Sequence, residues 1–402
     1  MENVISKTQN VLLVLENKQA EATELQQLME NFCGIVVKSL SEVEGELRSK
    51  RLYVCGDISQ FENIDGLAFI IKELSYHYET VDNENFKLIN LGQVPVIVSN
   101  SGVYFRQLFE ENGYFERIKA EHEFQALTES TKPGTAFRKG IYLAEVVKEI
   151  TQEHNEVLHF HLLRCSSNFS GATGNFREAD HEVLKIMNEA AKYVFEQETK
   201  LNHVLAQIYE NTKSEVKETK AKIKAHSDKT KDMPQEALIA FCTFYDNANF
   251  KQLTPSKTDR YDWCYKETSA LTRLVFKLKN TVNDDSLAKE FSVTLYPNSV
   301  FFIPLSTNRL YTHEIKPSIL NVDKIPTRMG YVARCSNVEA VFMNEQTYLK
   351  EKGKLIKLEE MTLETLTELK ETYREENITE HKVKYGKVHF SMNQGDYQKP
   401  IF

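Results

Sequence analysis

The chain has 402 residues, more than one typical hydrophobic core holds, so two domains, or a catalytic domain with a large extension, are expected. Hydrophobic residues at 41% and charged residues at 27% describe an ordinary globular protein, and a net charge of -8 disfavours one that coats nucleic acid. No run approaches the ~18–20 apolar residues of a membrane span, and MENVISKTQN lacks the apolar core of a signal peptide, so a cytoplasmic protein without membrane contact is expected.

Residues 1 to about 100 alternate between apolar runs and amphipathic ones. QNVLLVLE, GIVVKSL, RLYVCGD and QVPVIVSN read as strands; AEATELQQLMENF, SEVEGELRSK and the stretch around GLAFIIKELSYHY read as helices. Strands that are apolar throughout, separated by helices, imply a parallel sheet covered on both faces. The pattern resembles response-regulator receiver domains, with Asp57 just past the third strand. The acidic pair expected after the first strand is reduced to Glu16-Asn17, which argues against phosphoryl transfer. No G-x-G-x-x-G follows the first strand, so dinucleotide binding has no support. A scaffold, dimerisation or partner-binding unit is expected.

VYFRQLFEENGYFERIKAEHEF predicts two helices broken at Gly113, and Lys132-Pro133-Gly134 a turn, after which IYLAEVVKEITQE returns to regular structure. VLHFHLLRC carries His159 and His161, two alternating residues of an apolar strand that could in principle also bind metal. SSNFSGATGNFREAD is a Ser/Gly/Asn loop that could face a substrate. The helix that follows carries Val183, Ile186, Met187, Ala190, Ala191 and Val194 as its core stripe. The six cysteines (Cys33, Cys55, Cys165, Cys242, Cys264 and Cys335) form no C-x-x-C pair, and buried free thiols in a reducing compartment are expected.

From about Asn202 short strands dominate, as a double-sheet jelly roll requires. Between Lys213 and Lys231 seven lysines stand against three acids. Lys220, Lys222 and Lys224 have the parity of His226, so in an unbroken strand they would line the approach to it; a solvated edge strand that resists aggregation accounts for them equally. AKIKAHSDK places His226 and Asp228 two apart, so in an extended chain both point the same way. RLYTHEI adds His313. Two histidines and one carboxylate on one face of a ferrous ion leave room for a bidentate co-substrate and dioxygen. An insertion carrying Tyr261, Trp263 and Tyr265 could be a substrate lid or a surface cluster packed on the barrel. PTRMGYVARCS carries Arg328 and Arg334. Their spacing keeps both on one face of a strand, with bases on the order of 20 Å apart, and arginine forks suit a short dicarboxylate held between them. LEEMTLETLTELKETYREEN reads as an amphipathic helix near the C-terminus.

The order His-x-Asp, distant His, then Arg-x5-Arg, in the phrases AKIKAHSDK, HEI and RMGYVAR between Leu201 and Ser336, resembles the Fe(II)/2-oxoglutarate-dependent dioxygenases and, within them, the AlkB-like branch. The resemblance implies Fe(II) on His226, Asp228 and His313, with 2-oxoglutarate as co-substrate. Arg328 would grip its distal carboxylate and Arg334 would lie nearer its chelating end. The branch's Asn-x-Tyr pair has Gln207-Ile-Tyr209 as its counterpart here, a departure at the first position. The expected fold is α+β: an N-terminal α/β parallel-sheet domain over residues 1–124 and a double-stranded β-helix (jelly roll) catalytic domain over 125–402. The expected partners are dioxygen and a substrate to be hydroxylated or demethylated, a small metabolite or a protein side chain, with a lysine-lined approach favouring an anion. An AlkB-like nucleic-acid demethylase and an inactive oxygenase-fold binding protein are the alternatives.

Overall fold

The computed structural model describes the chain apart from residues 17–22, 62–65, 81–84, 111–112, 129–134, 151, 153–155, 165–169 and 216. Asn17, the turn Lys132-Pro133-Gly134, Cys165 and the start of the Ser/Gly/Asn loop therefore lie outside the described residues. The other five cysteines are buried and free. The architecture is mixed α+β, dominated by sheets, and no helix among the described residues is long and apolar enough to cross a membrane.

Near the N-terminus five strands pair in parallel, in the spatial order Ile35–Val37, Asn10–Val14, Arg51–Asp57, Ala68–Tyr76, Phe86–Ile89. Alternate residues of the same strands feed two cores, Leu12 and Tyr53 on one face and Val11, Leu13 and Val54 on the other. That is why these strands are apolar at consecutive positions. The helix Thr23–Asn31 covers the first face through Leu25 and Leu28.

Two expected helices are absent. SEVEGELRSK forms only the 3-10 turns Leu40–Glu42 and Leu47–Ser49, with Gly45 between them at φ +81°. GLAFIIKELSYHY instead supplies the strand Ala68–Tyr76, because its aromatic and β-branched run finds parallel neighbours on both sides and tertiary pairing overrides helical spacing. Asp57 is held by Ser59 and by His77 at 2.9 Å, so its carboxylate serves a turn.

Val96–Val98 and Gly102–Phe105 leave the N-terminal sheet and join a nine-stranded one, so the first half of the expected helical pair is a strand. The second half is the helix Tyr114–Glu121, entered through Gly113 at φ +127°. The nine-stranded sheet runs Gly174–Asn175, Thr135–Ala144, His203–Tyr209, Arg328–Arg334, Leu238–Tyr245, Ser299–Pro304, Gly102–Phe105, Val96–Val98, with Gln125–Thr128 paired to Thr135–Ala144. One face packs on the helix Glu178–Lys192, whose Val183, Met187 and Ala190 share a core with Met329 and Ala333. The other face meets a four-stranded sheet, Ile223–His226, Tyr311–Lys316, Arg273–Leu278, Glu290–Thr294. Phe241 and Phe301 of the large sheet meet Phe276 of the small one with ring centroids 6.2 and 5.7 Å apart.

A separate five-stranded antiparallel sheet contains Glu156–Leu162, where His159 pairs with Glu149 at 2.9 Å. His159 and His161 belong to neither grouping of metal-ligating side chains among the described residues. The expected strand KVHFSM makes only the isolated bridge between Glu359 and Phe390.

A buried ion pair fastens the chain just past the small sheet. Arg164 donates from its backbone N, Nε and Nη2 to Asp232 at 2.7, 3.2 and 2.8 Å, Lys231 adds a bond at 2.7 Å, and Arg164 Nη1 reaches the Val388 carbonyl at 2.6 Å. Burial raises the Asp232 pKa, but Lys231 and Arg164 outweigh it and bring the carboxyl down to about 2. The folded value lies below the ordinary carboxylate value of ~3.9, so the pair's contribution is complete above that pH and is lost as pH falls toward about 2. Asp232→Asn leaves Arg164 buried without its charge partner and should cost about 3–5 kcal/mol at pH 7. Urea unfolding at pH 7 and pH 3 checks this, the wild type losing more stability on acidification than the variant.

Candidate metal centre

The centre is built by one antiparallel pairing. His226, at the end of Ile223–His226, stands directly opposite His313 on the strand Tyr311–Lys316, while Ile223 stands opposite Ile315. Direct antiparallel partners have neighbouring Cβ atoms, and the two imidazole centroids lie 4.5 Å apart. Ile223 and His226 are three apart where their partners are two apart, so the strand carries a bulge.

Just past the strand end, Asp228 turns into the gap between the sheets and is 7% exposed. Asn308 fixes its backbone from both sides: the Asp228 N–H donates to Asn308 Oδ1 at 2.8 Å, and Asn308 Nδ2 donates to the Asp228 carbonyl at 2.9 Å. The Ser227 N–H donates to Asn377 Oδ1 at 2.7 Å, from the C-terminal helix Leu363–Ile378. Arg334, from the large sheet, places Nε and Nη2 each 2.8 Å from Asp228 Oδ2. Oδ1 is thereby turned to the histidines, 3.7 Å from His226 Nε2 and 3.9 Å from His313 Nε2.

The protonation states suit a cation. His226 Nδ1 lies 2.8 Å from the Lys224 carbonyl, which can only accept, so Nδ1 carries the proton and Nε2 offers its lone pair. Burial lowers the His226 pKa. Burial, reinforced by His226, brings that of His313 down to about 3. Burial raises the Asp228 pKa, but Arg334 and His313 outweigh it and hold the carboxyl well below its usual range. Near neutral pH the group offers two neutral imidazoles and a carboxylate, the forms in which these side chains bind metal. The three ligand atoms lie within 4.8 Å of one another, and this donor set fits Fe(II).

On the facing sheet Arg328 is 3% exposed, and its Nε and Nη2 have no hydrogen-bond partner. Tyr209 and Tyr245 are its direct partners on the two adjacent strands. Its guanidinium carbon lies 3.8 Å from the Tyr209 ring centroid. Gly330 makes room, since a Cβ there would come within 3.0 Å of Arg328 Nη1 and 3.2 Å of Tyr209 Cε2. Gln207 is buried on the same face, with Tyr209 Oη 3.5 Å from its Oε1. A buried guanidinium with unmade hydrogen bonds calls for an anion.

The remaining candidates are placed differently. The bulge resets the parity on which the lysine approach depended: Ile223 packs against the core, whereas Lys222 and Lys224 are exposed. Lys220 donates to the Ser318 carbonyl at 2.9 Å. Trp263 packs edge-on against Phe250 at 5.0 Å, and Phe250 against Tyr245 at 5.8 Å, the direct strand partner of Arg328, so the insertion packs beside Arg328 on the same face of the large sheet. Asn308 and Asn377 had no local sequence signal, because each acts on a backbone group far away in the chain. A second grouping, Glu121, His122 and Asp180, caps the helix Glu178–Lys192: Asp180 takes bonds from His122, Tyr331 and the Arg177 N–H.

No family model matches the chain, and no curated protein does. Among solved structures, that of OsALKBH1 aligns at 10% identity and TM-score 0.34, over 60% of this chain and 99% of that one. A bsmA homologue from Methylobium petroleophilum PM1 aligns at 11% and 0.26, over 55% and 80%. The Fe(II)/(alpha)ketoglutarate-dependent dioxygenase TqaL aligns at 8% and 0.24, over 60% and 76%. Scores this low carry no functional argument, which rests on the side chains.

His313→Ala should abolish Co(II) binding, followed by visible absorption, and Asn308→Ala should weaken it about 10–100-fold by loosening the Asp228 backbone. Full affinity in His313→Ala would refute the ligand set.

Proposed function

We propose that the chain is an Fe(II)/2-oxoglutarate-dependent dioxygenase, with the two facing sheets as the halves of a double-stranded β-helix. The observation that carries the proposal is the convergence of His226 Nε2, Asp228 Oδ1 and His313 Nε2, together with a buried arginine on the facing sheet, Arg328, whose Nε and Nη2 have no partner. His226, Asp228 and His313 would hold the metal. Ferrous iron bound there would couple decarboxylation of the keto acid to oxidation of a substrate C–H bond, with succinate as co-product.

The chain's own part is binding and orientation. Arg328 would take the distal carboxylate in a bidentate, charge-assisted contact, with Tyr209 stacked beneath it to fix the fork. Gln207 lies beside Tyr209 and can donate to the same carboxylate. Arg334 would keep Asp228 ionised and aimed, acting on the metal through its ligand rather than gripping the co-substrate. Phe241 and Phe276, with ring centroids 5.1 and 5.7 Å from that of His313, exclude water from the buried side of the centre.

Carbon dioxide release from 2-oxoglutarate with added Fe(II), without any further substrate, tests the reaction. Arg328→Lys keeps the charge but loses the fork, and should weaken 2-oxoglutarate binding by about 1.5–3 kcal/mol in a calorimetric titration. A wild type that binds Fe(II) but neither binds nor decarboxylates 2-oxoglutarate would sink the proposal.

A further inference from the structure

The face of the N-terminal sheet that carries Leu12 and Tyr53 is covered by two helices of different character. The helix Thr23–Asn31 closes onto it through Leu25 and Leu28. The helix Glu178–Lys192 does not, and between it and the sheet a cavity of about 470 Å³ stays open. Register fixes the sheet wall: Tyr53, Phe69 and Lys87 stand side by side on three parallel strands, and Arg51, two residues before Tyr53, points the same way. The helix wall is Glu182, Lys185, Ile186 and Glu189, at the i, i+3, i+4, i+7 spacing of one helix face. Charged side chains are almost never fully buried, which keeps this wall off the sheet. The core stripe of the same helix, with Val183 and Met187, faces the large sheet, so the cavity lies across that sheet from the metal centre.

The walls are aromatic at the base and cationic at the border. Tyr53 and Phe69 present rings with centroids 5.7 Å apart and planes inclined by 35°. Arg51 is held against aromatic rings, its guanidinium carbon 5.1 Å from the Phe69 centroid and 4.3 Å from that of Tyr193. The acids beside the cavity are engaged. Glu182 accepts a fork from Arg117 at 2.8 and 2.9 Å and the Tyr114 hydroxyl at 3.3 Å, and Glu189 lies 3.6 Å from Lys192 and 4.0 Å from Arg51. Lys87 and Lys185 are exposed and form no ion pair among the described residues. The border is therefore positive. A volume within the ~300–1,000 Å³ range, an apolar lining and a few convergent charged groups are the attributes of a small-molecule site.

We infer that this cavity binds a small molecule with a flat aromatic body and one anionic group, a carboxylate or a phosphoryl group. The body lies against Phe69 and Tyr53, where ring-on-ring contact adds to area burial, and the anion is taken by Arg51, Lys87 and Lys185. The N-terminal sheet is then half of a ligand-binding unit separate from the metal centre, and the inference does not depend on the dioxygenase proposal.

2-Naphthoate and 2-naphthyl phosphate serve as probes, with 2-naphthamide as the neutral control and decahydro-2-naphthoate as the saturated one, each titrated calorimetrically into the full chain. Either anion should bind more tightly than both controls, and the tighter of the two names the group. The double variant Lys87→Glu/Lys185→Glu, at two exposed positions, should weaken the anions about 10–100-fold, as expected for lost charge-assisted contacts, and leave 2-naphthamide unchanged. Ile186→Trp, which fills the cavity from the helix side, should abolish binding of every probe. Arg328→Lys should retain it, because the metal centre lies across the large sheet. Absence of binding by both anions, a control that binds as tightly as the anions, or a double variant that binds them like wild type would each overturn the inference. Loss of naphthoate binding in Arg328→Lys would overturn it too, by moving the anion to the metal centre. If a cavity variant fails to fold, the comparison of anions with controls in the wild type and in Arg328→Lys still decides.

Discussion

The bond between Arg334 and Asp228 joins the two facing sheets at the one point where their chemistry meets. Asp228 divides its carboxylate: Oδ2 is committed to the guanidinium on the large sheet, and Oδ1 is left to the two imidazoles on the small one. A buried ion pair of this kind is weak evidence for net stability, since desolvation offsets most of the attraction. What it supplies is orientation. Without the arginine, burial would favour the neutral acid, and the centre would lose both its charge and its aim.

Around that bond the distribution of buried charge separates structure from function. Arg164 and Asp232 satisfy one another, with Lys231 beside them, and hold the chain four residues beyond Asp228. Arg328 has no such partner for its Nε and Nη2. Folded proteins pair nearly all buried polar groups, so a buried guanidinium left unpaired stands out against the satisfied pair.

The insertion that carries Trp263 also ties the two parts of the chain together. Arg260 reaches Glu24 of the N-terminal helix through Nε and Nη2 at 2.9 and 2.8 Å, and lies 3.7 Å from Glu73. Trp263, Phe250 and Tyr245 then form a row of rings ending beside Arg328. Surface ion pairs contribute little energy, but a bidentate arginine restricts where the insertion sits, and with it the row of rings beside Arg328.

Much of the centre was legible locally. His226 and Asp228 lie two apart, His313 ends an apolar strand, and Arg328 and Arg334 share a strand face; side-chain alternation is a property of the extended backbone and needs no knowledge of the fold. The parallel N-terminal sheet was legible for a similar reason, because strands buried on both faces must be apolar at consecutive positions. Other features depended on pairing partners that sequence spacing does not reveal. A bulge between Ile223 and His226 breaks the alternation that would have tied Lys220 and Lys222 to His226, and parallel neighbours made a strand of Ala68–Tyr76. Asn308 clamps a backbone 80 residues away. Alternation is written into each strand, whereas register, bulges and the satisfaction of buried charge arise only when distant segments meet.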